Sequence, residues 1–402
     1  MIDIPVLHDS IASTDSKIIM LMVDGLGGAP HPETGKSELE TAHLPNLDRL
    51  ARESACGLTV PVMPGVSPGS GPGHLALFGY DPLKHIIGRG ALEAMGVAGV
   101  DFREGEVAAR GNFCTVDSEG RMVDRRAGRI DSETTRPMCR ALDLIEVDSV
   151  DARVYQVEGY RFVLRLRGPG LSDKVLGMDP HSIGIEPLEV RAKSLEGELT
   201  ARAANYFVRQ ARNVLMDEKR ANMVLLRGFA GKPRLPSMAK AYKLNPASIA
   251  AYPMYRGLTY LVGMKVLATG STFEDELDTL ESNYQDHDFI FIHYKGADIA
   301  GEDGDFEAKT RALEELDRHL PRLEALGPDV LMVAGDHATP AIVAGHSWHP
   351  VPFMLRSKFT LGEGVEAFNE RACADGSLGS MMALSVMPLV LSHAGKMGKF
   401  GA

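Results

Sequence analysis

The stretch HDFIFIHYKGADIAGEDGDFEAKTRALEELDRHLPRLEALGPDVLMVAGDHATP (287–340) decides the fold of this chain. It opens and closes on short apolar runs, FIFIHY and VLMVA, each the length of a buried strand, and each is followed by Asp within a few residues. The middle is amphipathic, with Phe306, Leu313, Leu316 and Leu320 at helical spacing. Strand, helix and strand joined by short connections predict a right-handed parallel crossover. In such sheets ligands gather beyond the carboxyl ends of the strands. SKIIMLMVDGLGG (16–28) repeats the design, and LPNLDRLARES (44–54) follows it as a helix with Leu47, Leu50 and Ala51 on one face. Three strand ends are thus expected to deliver Asp24, Asp298 and Asp336 to one rim.

Working outward, the rest of the 402 residues reads as an ordinary globular chain, long enough for two or three domains. Its net charge of −11 and the want of a basic aromatic stripe argue against nucleic acid, while an anionic small substrate stays open because a local site can be positive. No apolar run reaches the roughly 18 residues of a membrane span. The nearest, MMALSVMPLVL (381–391), contains Pro388 and is expected to form a buried C-terminal helix. MIDIPVLHDS at the start, with an early Asp and no long apolar run, is not expected to act as a signal peptide. Cys56, Cys114, Cys139 and Cys373 lie far apart without a CxxC, which predicts reduced, buried thiols in a cytoplasmic protein. From about residue 107 to 170 the strands are shorter and alternate more. An α+β unit inserted at 88–236 is expected, with a phosphatase-like core built from 1–87 and 237–402.

Chemistry concentrates in a few segments. AGDHATP (334–340) sets Asp336 beside His337 at a strand end, and HSWHPVPFML (346–355) adds His346 and His349 before another apolar strand. Carboxylate oxygen with imidazole nitrogen suits a divalent ion, although a His or Asp that merely caps a turn would look the same locally. SPGSGPGHLALFGYDP (67–82) puts Ser70 in a glycine loop just before an apolar helix, where free N–H groups favour phosphate. The chain has neither a GxSxG elbow nor a GxxxxGK[ST] loop, which disfavours an acyl-transfer hydrolase and a P-loop nucleotide enzyme. Arg89, Arg125, Arg126, Arg129, Arg227 and Lys232 stand near glycines and predicted strand ends, where forked contacts to carboxylate or phosphate become plausible, as do plain surface ion pairs. Within GADIAGEDGDFEAK (296–309), Asp305 and Glu307 fall where acids suit the positive end of the next helix.

With these residues in hand, the chain resembles the cofactor-independent phosphoglycerate mutases of the archaeal type, in the alkaline phosphatase superfamily. The likeness runs from MVDGLGG through PGSGPGHLALFGYDP, GRGALEAMG, ARGNF, VDRRAGRI, LSDKVLGMDPH and GADIAGEDGDFEAK to AGDHATP, HSWHPVPFML and MPLVLSHAGKMGKFGA. It implies an α/β fold, an alkaline-phosphatase-like, mostly parallel sheet flanked by helices with an inserted α+β domain. It also implies two divalent metal ions, with Mn or Mg expected and Zn or Co as alternatives. One ion would be held by Asp24, Ser70, Asp336 and His337. The other would be held by Asp298 and His346, with Glu302 standing where the family has His, or His349 supplying the imidazole instead. An i, i+4 pair such as Asp298 and Glu302 shares one helical face, so the change keeps the geometry.

The resemblance further implies interconversion of 3-phosphoglycerate and 2-phosphoglycerate through a phosphoserine at Ser70. Arg89, Arg110, Asn112, Arg125, Arg126, Arg129 and Arg227 would bind the substrate, closure of the two domains would exclude water, and Arg256 in PMYRG would protonate the leaving oxygen. The Ser loop, GSGPGH, departs from the family by lacking an acid and a hydroxyl residue between Ser and His. The alternatives are a phosphomonoester or phosphonate hydrolase on the same metal pair and a non-enzymatic metal-binding relative. The expected partner is a small phosphorylated carboxylic acid, with no nucleic acid and no membrane.

Overall fold

The computed structural model describes residues 7–97, 100–361, 364–399 and 401, the side chain of Arg89 excepted. The chain divides into two compact units. The first comprises Met1–Ile86, Pro236–Tyr252 and Val262–Ala402, and the second Ile87–Leu235 with Pro253–Leu261. Assigning all of 237–402 to the core is therefore corrected at one place. The helix Pro253–Leu261 packs on the helix Arg89–Gly96 in the second unit, because Gly96 and Gly257 let the two backbones meet with no room for a Cβ.

The first unit is built on an eight-stranded sheet. Its strands are β1 (Ile18–Val23), β2 (Ala55–Val60), β3 (Pro246–Ile249), β4 (Lys265–Val266), β5 (Phe289–Tyr294), β6 (Val330–Ala334), β7 (Val351–Ser357) and β8 (Gly379–Met382). They lie in the order β4-β3-β5-β1-β6-β7-β2-β8. β1 sits between β5 and β6, parallel to both, with Ile19 opposite Ile290 and Leu331. The expected mostly parallel α/β sheet is what forms. β1, β5 and β6 are buried along their whole length, as apolar runs covered on both faces must be. β7 runs antiparallel to both of its neighbours, β6 and β2. Its first residue therefore lies on the rim where β1, β5 and β6 end, and His346 reaches that rim from the opposite chain direction.

Three helices matter for the site: α1 (Ser70–Leu77), α2 (Gly296–Glu302) and α3 (Phe306–Ala325). Asp305 caps α3, its Oδ1 accepting the Ala308 N–H at 2.8 Å. Leu313, Leu316, Leu320 and Leu323 bury one stripe of α3 in the main core. The stretch 381–391, expected to be one helix, is divided. Met381 and Met382 finish the edge strand β8, and the helix begins only at Val386, with Pro388 in its first turn where a missing N–H costs nothing. Cys56, Cys114, Cys139 and Cys373 are all buried free thiols. Among the described residues no helix is long and apolar enough to cross a membrane.

In the second unit, the strand Val107–Val116 pairs antiparallel with both Arg161–Arg167 and Met223–Gly231, and the helix Glu198–Val214 packs on the same core. Arg110 lies directly opposite Arg227.

Candidate active site

Asp24 follows β1, and the turn after it depends on Gly25. That residue has φ +67, and a Cβ there would lie 2.9 Å from the Asp298 backbone. Its N–H donates to Asp336 Oδ1 at 3.2 Å, and the His337 N–H donates to the same oxygen at 3.1 Å. The loops after β1 and β6 are thereby tied together. Ser70 is the first residue of α1, beyond Gly69. Gly73, one turn on, abuts the Asp336 carbonyl so closely that any side chain would collide with it. α1 is thus pressed end-on against the Asp336 loop.

The side chains converge. Ser70 Oγ lies 3.2 Å from His337 Nε2. The same nitrogen is 3.2 Å from Asp336 Oδ2 and 3.4 Å from Asp24 Oδ1. Asp24, Asp336 and His337 form one group able to hold a metal ion, and Asp298, His337 and His346 form a second. His346 Nε2 is 3.6 Å from Asp298 and 3.5 Å from Glu302, and its ring stacks on His337 with centroids 3.6 Å apart. His349 takes another course. Its Nδ1 pairs with Ser347 Oγ at 2.8 Å and its ring stacks on Trp348, so it joins neither group.

Four further residues of the site are not among those the sequence singles out. Lys295 Nζ bridges Asp24 at 2.8 Å and Asp298 at 2.5 Å. His293 Nε2 is 3.3 Å from Asp24. His74 Nδ1 bonds the Ser70 carbonyl at 2.8 Å, one helical turn back, and lies 3.2 Å from Asp336. Thr339 Oγ1 touches both Asp298 and His337. His74 and His293 read in the sequence as residues of apolar segments, and both are buried. Lys295 lies three residues before Asp298, an i, i+3 spacing that could have flagged it.

These contacts set the charges. Burial opposes ionisation of Asp24, but the Lys295 ammonium, His293 and His337 outweigh it and hold the carboxyl well below the usual carboxylate range. Burial and the Asp24 charge push Asp298 up against the pull of Lys295 and His337. Burial lowers His337. Burial also works against protonation of His346, yet Glu302, the Pro68 carbonyl, Asp298 and Asp336 raise it to about 9. Glu302 is correspondingly lowered by its bond to His346. Carboxylates gathered this tightly around imidazole nitrogens form a donor set that fits divalent cations, and the Lys295 ammonium supplies positive charge among them.

The second unit holds the arginines. Arg125 forks onto Asp179 at 2.9 and 2.7 Å, and Arg227 reaches the same carboxylate at 3.4 Å. Arg110 is buried against Glu93 at 3.0 Å, and Asn112 is buried on the same strand. Asp124 accepts the backbone N–H groups of Arg126 and Gly128, shaping a turn in which Ala127, Gly128 and Arg129 all have positive φ. Burial would raise the Tyr160 phenol, but Arg161, Arg126 and Arg110 together bring it below its ordinary value, the mark of a local positive field. Arg256 sits on the helix Pro253–Leu261 of this unit. Arg89 begins the helix Arg89–Gly96, and its side chain is outside the described residues.

Comparison with known proteins follows the same lines. The family model for 2,3-bisphosphoglycerate-independent phosphoglycerate mutase matches residues 51–221. A "probable 2,3-bisphosphoglycerate-independent phosphoglycerate mutase" of Thermus thermophilus is 48% identical over 403 residues, covering 99% of each chain. The protein of that name from Thermotoga neapolitana is 46% identical, covering 98% of this chain and 97% of its own. Among solved structures, a Pyrococcus horikoshii protein matches with TM-score 0.83 and 25% identity over 96% of this chain and 99% of its own. The cofactor-independent phosphoglycerate mutase of Thermoplasma acidophilum matches with TM-score 0.69 and 29% identity over 94% of this chain and all of its own. Near-half identity along the full length leaves one conclusion: this chain belongs to the 2,3-bisphosphoglycerate-independent phosphoglycerate mutase family.

Proposed function

We propose that the chain interconverts 3-phosphoglycerate and 2-phosphoglycerate by passing the phosphoryl group through Ser70. As a member of its family it is an isomerase of phosphoglycerate chemistry. The observation that carries the serine's role is its placement. Ser70 Oγ stands at the N-terminus of α1, 3.2 Å from His337 Nε2 and among buried carboxylates that would be costly without a cation.

Asp24, Ser70, Asp336 and His337 would hold one divalent ion, and Asp298, His346 and Glu302 the other. When bound, such ions stabilise the attacking and leaving oxygens of an in-line displacement. The chain's own groups do the rest. Ser70 Oγ gives up its proton as it forms the new bond to phosphorus, and the substrate's C–O–P ester oxygen departs and takes a proton in its turn. Reversal onto the neighbouring glycerate oxygen completes the isomerisation and frees Ser70. Arg110, Asn112, Arg125, Arg126, Arg129 and Arg227, with Arg89, are the candidates for gripping the glycerate carboxylate and phosphate. We assign the proton for the leaving oxygen to Lys295 in preference to Arg256, because the Lys295 ammonium already lies 2.8 Å from Asp24. Glu302 adds a hard oxygen, which favours Mn or Mg over Zn or Co. Four unpaired thiols support a cytoplasmic setting.

The test is an enolase-coupled assay on metal-stripped protein, re-supplied in turn with Mn, Mg, Co and Zn, with Ser70→Ala in parallel. Isomerisation restored by a divalent ion, and lowered on the order of 10³-fold or more by Ser70→Ala, is expected. Silence with every ion on both phosphoglycerates, or release of inorganic phosphate without isomerisation, overturns the reading.

A further inference from the structure

His337 falls within reach of both candidate cation groups, yet one ring nitrogen cannot serve two ions. The hydrogen bonds around Thr339 decide between them. Thr339 Oγ1 lies 2.8 Å from Asp298 Oδ1 and 2.9 Å from His337 Nδ1, and all three residues are buried. A threonine hydroxyl has a single hydrogen to give. Asp298 Oδ1 is the acceptor in its pair with Thr339, and its other oxygen takes the Lys295 ammonium. The hydroxyl hydrogen therefore goes to Asp298, and the proton between Thr339 and His337 must come from the ring. With the opposite arrangement, two acceptor oxygens would face each other at 2.8 Å in a buried site.

We infer that Thr339 is a positioning residue that fixes His337 as the Nδ1–H tautomer and so commits its bare Nε2 to the Ser70, Asp24 and Asp336 side. This rests on the two-cation reading above and deepens it. Nδ1, which faces Asp298 at 4.0 Å, is closed to a metal. The second ion then has only Asp298 and His346 from its group, and Glu302, 3.5 Å from His346 Nε2, becomes its needed third donor. The same hydroxyl links a donor of one site, Asp298, to a donor of the other, His337.

The surrounding structure holds Thr339 in place from behind. Its N–H donates to the Gly27 carbonyl at 3.0 Å. The fully buried ammonium of Lys309 donates to the carbonyls of both Gly27 and Thr339, at 2.9 and 2.8 Å. Glu38 accepts the Ala341 N–H two residues further on, at 2.7 Å. A ligand-orienting partner of this kind is worth about 10–100-fold in metal affinity.

The experiment compares wild type, Thr339→Val and Thr339→Ser. The ¹⁵N spectrum of histidine-labelled, Zn-loaded protein, with His337→Asn to assign the signal, should show His337 protonated at Nδ1. Mn titration of the stripped proteins should find Thr339→Val weakened about 10–100-fold with its unfolding midpoint kept, and Thr339→Ser close to wild type. A proton on Nε2, or Mn affinity unaltered by Thr339→Val, overturns the inference. So does equal weakening by Thr339→Ser, since the hydroxyl would then not be the active part. Neither readout uses phosphoglycerate. A chain that passes both but fails the enolase-coupled assay would sink the mutase reading alone.

Discussion

On the proposed two-cation reading, Glu302 is the residue that sets the choice of metal. It is more than half exposed, and its carboxylate approaches His346 rather than turning to solvent. Replacing it by His exchanges a hard oxygen for a softer nitrogen and removes one formal charge. The expected result is an enzyme that keeps measurable activity while its ranking of ions moves from Mn and Mg toward Zn and Co. Enolase-coupled rates with each ion in turn would show it, and an unchanged ranking would place Glu302 outside the coordination set. At this scale the sequence is readable wherever a polar residue interrupts or terminates an apolar strand. Asp24, Asp298, Asp336 and His337 stand out for that reason, and they do meet at one rim. His74 and Thr339 do not stand out, because a buried His or Thr beside apolar neighbours has the same local pattern whether or not it orients something, and His293 interrupts β5 without any local sign that ties it to Asp24. Only the distances, 2.8 Å from Thr339 to Asp298 and from His74 to the Ser70 carbonyl, separate the two cases.

At the level of elements, the parallel strands declare themselves through unbroken apolar runs, whereas direction does not. Nothing in VPFMLRS announces that β7 is reversed, since an apolar strand buried on both faces reads alike from either end. The short edge strand β8 is hidden for a different reason: its Met-rich sequence suits a helix, and only pairing with β2 overrides that preference. Another element hides a titration. Glu276, in the helix Phe273–Asn283, is buried and accepts the Ala251 N–H at 2.7 Å, and burial pushes its carboxyl up to about 8. A carboxyl raised in the fold contributes stability that is full below its unfolded value and lost as pH rises through about 8. Glu276→Gln should remove that loss, flattening the fall between pH ~5 and ~8 by at most about 1.4 kcal/mol per pH unit. Urea unfolding at several pH values checks this, and parallel slopes in wild type and variant would mean that Glu276 ionises in the fold as it does in water.

For the molecule as a whole, the candidate cation ligands lie in one unit and the arginine cluster in the other. Ion binding should therefore stabilise the unit that carries the ligands, by about 2.7 kcal/mol at a free ion concentration a hundredfold above Kd. Hydrogen exchange before and after chelation should show protection falling around residues 24–28 and 335–340. The strands Val107–Val116 and Met223–Gly231 should keep theirs. Uniform loss over both units would instead make the second unit's stability depend on the first. The reversed strand bears on how such a site can be remade. Residues 335–350 depart from the rim at the end of β6 and come back to the same rim at the start of β7, carrying Asp336, His337, Thr339 and His346. They form a cassette anchored at both stems by neighbouring antiparallel strands. Changes within it reroute no crossover and reorder no strand, and because residues 336–341 are tied to Gly25, Gly27, Lys309 and Glu38, its later part, 342–350, is the natural place to engineer a different metal into this scaffold.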